Sequence, residues 1–325
     1  MSDITKPTIF VTRRWPADAE AALSKYFTPT FNSEDVPLTT QQIADGFASH
    51  DALAPTVSDT ITAEIIEAGA AGKGKFVANY GVGVNHIDIE ACKAASIPVS
   101  NTPGVLTDAT ADITMTLMLM LARRAGEGER ELRGGNWAGW RPTHLMGRQL
   151  SGKTLGIIGM GRIGKAVARR CALGFGMKVV FYNRSKVDDC ADINAVQMAS
   201  VVDVCAAADI VSLHCAASPD TFEIMNAAAF DAMPSDAVII NTARGDVIDE
   251  SALVKALNAG SIGGAGLDVF QGEPNINPDI LTAPHTVLLP HLGSATLETR
   301  TAMGLKVVDN LRAFFASEPL VDPVC

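Results

Sequence analysis

The stretch from Thr154 to Ala168 limits what this chain can fold into more than any other. An apolar run ends at Gly159, a helical pattern begins just beyond it, and Gly159, Gly161 and Gly164 spell G-x-G-x-x-G. Between a strand and a helix, the first glycine permits a tight turn. The second lets the backbone approach a pyrophosphate, and the third lets the helix pack closely on the strand. The N–H groups at the start of that helix have no intrahelical partner and face the anion. The chain has 28 glycines, so the spacing alone means little. The strand before it and the helix after it give the motif its weight, and the expectation is a nucleotide bound at the carboxyl ends of a parallel sheet.

The first hundred residues repeat the βα pattern without this turn. Strands are expected at Thr8–Thr12, Ala52–Pro55, Lys75–Tyr80 and Ile97–Ser100, with helices at 17–26, 38–47, 61–68 and 87–95 between them. Such alternation implies a mostly parallel sheet flanked by helices, so this part reads as a separate α/β domain. Asn101-Thr102-Pro103-Gly104 punctuates the chain. Thr107–Arg124 then reads as one long helix, apolar nearly all round and so buried on both faces. Gly126–Gly147 is irregular and carries Trp137 and Trp140, which suits a dimer contact. Past the fingerprint, strands are expected at 178–182, 209–214, 237–241, 265–270 and 287–289, with helices at 196–206, 251–259 and 296–315. The last helix is long enough to return to the first domain.

The 325 residues suffice for two hydrophobic cores. A formal net charge of −10 argues against a nucleic-acid surface or an anionic membrane as partner. The longest apolar run, Ile113–Ala122, is too short to span a bilayer, and the N-terminal residues do not read as a signal peptide. The six cysteines have neither zinc nor disulfide-framework spacing and read as free thiols in a cytoplasmic protein.

Two groups of residues could carry chemistry. The first follows the second strand of the fingerprint domain, where a cofactor with a free ribose 2′-hydroxyl usually meets Asp or Glu. Here that place holds Asn183, Arg184 and Ser185, which are hydrogen-bond donors suited to a 2′-phosphate. NADP(H) is therefore favoured and NAD(H) remains possible. The second group is Arg244, Glu273 and His291, each just beyond an expected strand. A histidine paired with a carboxylate can act as an acid near neutrality, and an arginine beside it can grip a substrate carboxylate. Spacing alone leaves open that the Glu is merely solvated and the His a cap. His50, His86, His144 and His285 read as packing, capping or surface residues, and no group has metal-ligand spacing.

Several blocks in order resemble the D-isomer-specific 2-hydroxyacid dehydrogenases, most closely the glyoxylate/hydroxypyruvate reductase branch. They are Gly81-Val82-Gly83-Val84-Asn85-His86-Ile87-Asp88, Leu150 through Gly159, Asn241-Thr242-Ala243-Arg244-Gly245, Gly266-Leu267-Asp268-Val269-Phe270 with Glu273-Pro274, and Leu289-Pro290-His291-Leu292-Gly293-Ser294-Ala295. Trp137 and Trp140, followed by Pro142, are similar to the arm of the same branch.

The resemblance implies roles residue by residue. Arg244 would bind the substrate carboxylate and carbonyl, Glu273 would hold the histidine, and His291 would be the general acid. Val82 and Gly83 would supply backbone donors for the carboxylate. Thr107, Arg162, Ile163, His214, Cys215, Thr242, Ala243, Asp268 and Gly293 would join the glycines in cofactor contacts, with Arg244 and His291 beside the nicotinamide. Glu273 argues against formate dehydrogenases, which use glutamine there. Ala216 stands where many members have proline, which implies a softer loop.

The implied architecture is α/β with two Rossmann-like domains, a doubly wound cofactor domain (103–285, with a dimerisation arm about 120–147) inserted in a flavodoxin-like substrate domain (1–102 and 286–325). The implied activity is NADPH-dependent reduction of glyoxylate, hydroxypyruvate or a similar small 2-keto acid to the D-2-hydroxy acid, by a homodimer. Reduction of larger 2-keto acids such as phenylpyruvate, phosphite oxidation, and a nucleotide-sensing corepressor role are the alternatives.

Overall fold

The computed structural model describes Lys6–Cys325, in two compact units. The first comprises residues up to Leu106 together with Ala295–Cys325. Its strands β1 (Thr8–Val11), β2 (Thr28–Phe31), β3 (Ala52–Ala54), β4 (Phe76–Ala78) and β5 (Val99–Ser100) form one parallel sheet in the order 2-1-3-4-5. That is the flavodoxin-like order. Four helices connect the strands: α1 (Ala17–Tyr26), α2 (Thr40–Ser49), α3 (Ala63–Ala71) and α4 (Ile89–Ala94).

Alternate residues of each strand face opposite cores. Phe76 and Ala78 lie with α1 and the closing helix Leu297–Phe315, whereas Val77 lies with Phe47, Ile65 and Ile66 on the other face. Phe76 stacks on Phe314 at 4.5 Å between ring centres, which ties the closing helix to this sheet. Helix α2 starts where a capping box forms. Gln42 N–H donates to Thr39 Oγ1 at 3.2 Å, and Thr39 N–H donates to Gln42 Oε1 at 2.9 Å.

The second unit is Thr107–Ser294. Its strands are β6 (Thr154–Ile158), β7 (Lys178–Tyr182), β8 (Val196–Gln197), β9 (Ile210–Leu213), β10 (Val238–Asn241), β11 (Gly264–Leu267) and β12 (Thr286–Leu288). All pair in parallel, in the order 12-11-10-9-6-7-8. The helices are α5 (Thr107–Ala122), α6 (Ala125–Arg133), α7 (Arg162–Arg169), α8 (Val201–Ala207), α9 (Ala227–Ala232), α10 (Glu250–Ala259) and α11 (Pro278–Thr282). The chain moves outward from β6 in one direction to β8 and then in the other from β9 to β12. The strand order therefore reverses between β6 and β9, the place where doubly wound sheets bind ligands.

Both parallel sheets agree with the fold read from the sequence, and several details differ. The strand at Thr286–Leu288 pairs with β11, so residues 286–294 belong with the nucleotide fold and not with the first unit. The units divide at 106/107 and 294/295 instead of 102/103 and 285/286. The expected helix at 196–206 splits, because Val196–Gln197 extend the sheet edge and Ser200 caps a new helix by accepting from Asp203 N–H at 3.1 Å. One face of α5 is open to solvent along Asp112, Thr116 and Leu119, so it is not buried all round. The arm contains a helix, α6, stabilised by charge pairs such as Arg124–Glu127 and Arg133–Glu129. Strand β2 was not expected because Pro29 interrupts a run of only four residues, and proline is tolerated on an edge.

Phe47 is fully buried, and its ring fills the space over two glycines. A Cβ added at Gly69 or Gly74 would lie 2.3 or 2.6 Å from it. A Phe47→Ala change should therefore leave a large cavity and cost about 3–5 kcal/mol. Urea titration of the first unit's unfolding checks this, and a loss below ~1 kcal/mol would mean the site collapses freely.

Candidate active site

The parallel register puts six loops at one edge of the seven-stranded sheet. The glycine turn follows β6, Asn183 follows β7, His214 follows β9, Arg244 follows β10, Asp268 and Glu273 follow β11, and His291 follows β12. Strands β10, β11 and β12 are neighbours, with Asn241 opposite Leu267 and Leu267 opposite Leu288. Arg244, Glu273 and His291 thus descend from three adjacent strand ends.

His291 Nδ1 and Glu273 Oε2 are 2.8 Å apart, with each side chain about one-third exposed (32%). Glu273 Oε1 accepts from Phe270 N–H at 2.8 Å, so both carboxylate oxygens are engaged. Burial alone would raise the Glu273 carboxyl. The hydrogen bond and charge of His291, the Phe270 N–H and the Arg244 cation together outweigh it and hold the group below the ordinary value. Glu273 is therefore ionised at neutral pH, and Nδ1 of His291 is the nitrogen it fixes. Nε2 lies outside that pair.

His291 adopts φ +54°, a left-handed conformation that is costly for a residue with a Cβ. Asp268 holds it there. The Asp268 carbonyl accepts from His291 N–H at 2.9 Å, and its carboxylate oxygens accept from Leu292 N–H at 2.6 Å and Gly293 N–H at 2.7 Å. Burial raises the Asp268 carboxyl, against these two N–H donors and the His291 charge. Gly293 is fixed from a second side, because its carbonyl accepts from Thr110 Oγ1 on α5 at 3.2 Å.

Asn241, fully buried, shapes the loop that carries Arg244. Its Oδ1 accepts from Ala243 N–H at 3.0 Å, and its Nδ2 donates to the Arg244 carbonyl at 2.8 Å. Thr242 Oγ1 lies 2.9 Å from Thr114 Oγ1 of α5. Burial lowers the Arg244 guanidinium, while Glu273 and Asp246 oppose that shift. Sequence reasoning missed Asn241 and Thr114 as supports of the site. Asn241 opens a matched block, and that position was the only available signal.

The three fingerprint glycines are needed for three different reasons. Gly159 has φ +96°, and a Cβ there would lie 2.5 Å from Cys215 N. A Cβ on Gly164 would lie 2.4 Å from the Gly159 carbonyl oxygen, so this glycine sets the helix–strand distance. A Cβ on Gly161 would meet nothing within 4 Å, so this glycine keeps open the space that a pyrophosphate would fill. Helix α7 begins at Arg162 with Gly161 as its cap and no side-chain acceptor, which leaves the first-turn N–H groups, Arg162 and Ile163 included, to an anion. These residues fit a dinucleotide.

Around the expected ribose, Asn183 Oδ1 accepts from Met160 N–H at 3.2 Å, and its Nδ2 donates to Ser185. Arg184 is exposed and pairs with Asp220 at 3.1 Å, a partner the sequence did not suggest. His214 Nε2 meets Ser212 Oγ at 2.9 Å, and burial pushes His214 down to about 3, so it is neutral. Cys215, half-buried beside Gly159, has its thiol pushed up to about 11 by burial and is not a nucleophile. Thr107 is the first residue of α5.

In the first unit, Val82 and Gly83 lie in the loop after β4. Every carbonyl of Gly81–Gly83 is captured. Thr102 N–H and Asn79 Nδ2 donate to Gly81 at 3.0 and 3.1 Å, Asn101 Nδ2 to Val82 at 2.8 Å, and Asn79 Nδ2 to Gly83 at 3.0 Å. His86 Nε2 lies 3.0 Å from Asn79 Oδ1, and so braces that clamp. Such an arrangement leaves the loop's N–H groups to serve an anion. His50 bonds Gly46 and Thr30, and His144 pairs with Glu131 at 2.7 Å. Among the described residues no cluster of His, Cys, Asp or Glu suits a metal ion, all six cysteines are free, and no helix is long and apolar enough to cross a membrane.

The glycine geometry separates two substitutions. Gly164→Ala should lower stability by about 1–3 kcal/mol, because backbone must move. Gly161→Ala should leave Tm near wild type while weakening nucleotide binding about tenfold or more. Thermal unfolding and NADPH titration of both variants check this, and equal loss of stability in the two would contradict it.

Comparison with known proteins gives one answer. Residues 115–293 match the model of the D-isomer specific 2-hydroxyacid dehydrogenase NAD binding domain. The chain is similar to a glyoxylate reductase of Thermococcus litoralis, 39% identical over 96% of this chain and 95% of the relative. It is 38% identical to a glycerate dehydrogenase of Hyphomicrobium methylovorum over 96% and 97%. An NADPH-dependent glyoxylate/hydroxypyruvate reductase of Sinorhizobium meliloti, solved with NADP and malonate, superposes with a TM-score of 0.86 at 33% identity, over 99% of this chain and 97% of the other. With its doubly wound nucleotide fold and this degree of likeness, the chain belongs to the D-isomer-specific 2-hydroxyacid dehydrogenases, the NAD(P)-dependent oxidoreductases of 2-keto and 2-hydroxy acids.

Proposed function

We propose that this protein reduces a small 2-keto acid of the glyoxylate/hydroxypyruvate class to its D-2-hydroxy acid, with NADPH as the preferred reductant. The observation that carries the reading is the 2.8 Å His291–Glu273 pair beside the partly buried Arg244. Bound NADPH supplies the hydride that the carbonyl carbon receives. Arg244 grips the carboxylate and polarises the keto oxygen. In the first unit, Val82 and Gly83 offer backbone N–H groups that suit a carboxylate. His291, held by Glu273, passes the Nε2 proton to the developing alkoxide. The substrate class draws on the activities named for the Thermococcus and Sinorhizobium relatives.

On the cofactor side, Gly159, Gly161, Arg162, Ile163 and Gly164 would hold the pyrophosphate, and Thr107, Thr242, Ala243, Asp268 and Gly293 the nicotinamide end. His214 and Cys215 line the turn beside it. NADPH is preferred because Asn183, Arg184 and Ser185 offer donors and no carboxylate stands on that strand end. Arg184 would exchange its Asp220 partner for a 2′-phosphate. The arm at 120–147 is the proposed homodimer contact, supported by exposed Leu132, Trp137, Trp140 and Met146. Free thiols and acidic charge suit a reducing cytoplasm.

A kcat/KM panel with glyoxylate, hydroxypyruvate, pyruvate and phenylpyruvate, each with NADPH and NADH, tests this. The small acids with NADPH should lead. Arg184→Ala should cut kcat/KM for NADPH about tenfold or more and spare NADH, while Asp220→Asn should strengthen NADPH binding by removing a competing charge. Phenylpyruvate leading, or an unchanged nucleotide ratio in Arg184→Ala, would overturn the corresponding part.

A further inference from the structure

Glu250 has no part in the reading above, yet its carboxyl is buried at the first turn of α10, only 7% exposed. It does not cap its own helix. Asp249 does that, accepting from Ala252 N–H at 3.0 Å. Instead Glu250 Oε1 accepts from Gln271 N–H at 2.8 Å, across to the loop that follows β11. The Gln271 side chain reaches back and donates to the Ile248 carbonyl at 2.9 Å. Gln271 is thus gripped at its backbone and at its side-chain end by the segment running into α10.

The same two segments touch through bare backbone. A Cβ on Gly245 would lie 1.9 Å from Phe270 C and 2.2 Å from Gln271 N. One segment therefore carries Arg244, Gly245 and Glu250, and the other carries Phe270, Gln271 and Glu273. Phe270 N–H and Gln271 N–H are adjacent donors with different acceptors: the first goes to Glu273 Oε1 and the second to Glu250 Oε1. Holding Gln271 fixes the peptide next to the one that orients the Glu273 carboxylate. Burying a carboxylate is unfavourable unless it is hydrogen-bonded, and the Gln271 N–H is the partner here. Burial raises the Glu250 carboxyl, with nearby Asp246 acting in the same direction and the Gln271 N–H against it. The charged groups facing Glu273 from the other side are His291 and Arg244, with Asp268 beside His291.

We propose that Glu250 is a positioning residue for the Glu273–His291 pair: by accepting from Gln271 N–H it locks the loop after β11 in the one conformation that aims Glu273 at His291 Nδ1. The inference rests on the reading of that pair as the proton donor. A neutral acceptor serves as well as a charged one, because the bond needs only an oxygen at Oε1.

The test compares Glu250→Ala, Glu250→Asp and Glu250→Gln with Glu273→Gln in the full-length protein. kcat and KM for glyoxylate and hydroxypyruvate are measured with NADPH across the range in which a histidine titrates. Glu250→Ala and Glu273→Gln both cost His291 Nδ1 its aimed carboxylate acceptor, so both should displace the alkaline limb of the kcat profile in the same direction. Glu250→Ala should lower kcat about tenfold or more, the scale of a misplaced catalytic group, and shift that limb in the same direction as Glu273→Gln. KM for NADPH should change less than about twofold, a difference too small to reflect lost binding. Glu250→Gln should restore both rate and profile. Glu250→Asp, whose carboxylate is drawn back by one methylene, should fall between them and covers the case of an alanine variant that does not fold. Adding Glu250→Ala to Glu273→Gln should shift the profile no further.

An alanine or aspartate variant with the wild-type pH profile would overturn the proposal. So would a glutamine variant as impaired as alanine. A wild-type enzyme inactive on every 2-keto acid, or a fully active Glu273→Gln, would remove the reading of the pair and this inference with it. Normal wild-type activity with an impaired Glu273→Gln and an unaffected Glu250→Ala would remove only the inference.

Discussion

The parallel register of the seven-stranded sheet is the constraint on which the rest depends. Because every strand runs the same way, every loop that follows a strand emerges at one edge. Strands β10, β11 and β12 are hydrogen-bonded neighbours about 4.8 Å apart in sequence order. Side chains 47 positions apart in the chain, Arg244 and His291, therefore stand over the ends of β10 and β12, with β11 and its Glu273 loop between them. The reversal of order at β6 and β9 opens the place beside them where Gly161 leaves room for a pyrophosphate.

Gathering charges at a half-buried edge is unfavourable unless each is partnered, and here hydrogen bonds from the loops supply the partners. Both oxygens of Glu273 are taken, both oxygens of Asp268 accept backbone N–H groups, and Asn241 ties down the turn before Arg244. The strained φ of His291 survives because three hydrogen bonds to Asp268 over-determine the turn. The site is rigid for the same reason that it is polar. Its orientation is set by residues that never touch a substrate, with Glu250 and Gly245 linking the arginine loop to the glutamate loop.

Much of this was legible in the sequence, for identifiable reasons. The glycine turn announces itself because three local requirements fall on glycine at fixed spacing, and each is met in the structure by a different contact. Arg244, Glu273 and His291 could be picked out as polar residues directly after apolar runs. Their mutual distance could not, since it depends on strand order. Arg184 reads in the sequence as a donor to a 2′-phosphate, and only the fold reveals Asp220 against it, because the loop after β9 must first come round to β7. The helix expected over 196–206 failed for a related reason. Val196 and Gln197 meet the outer edge of strand β7, whose other edge pairs with β6, and that sheet edge outweighs helical spacing. Helix α6 was hidden by a polar, glycine-containing sequence that relies on charge pairs instead of a buried face.

The central claim is that His291, aimed by Glu273, donates the proton that completes hydride transfer. The most direct measurement is single-turnover reduction of glyoxylate by His291→Asn with NADPH already bound, followed at 340 nm alongside nucleotide titration. The expected result is NADPH affinity close to wild type and a chemical step slowed about 10²-fold or more, as for loss of a general acid. A chemical step at the wild-type rate in a variant that still binds NADPH would contradict it.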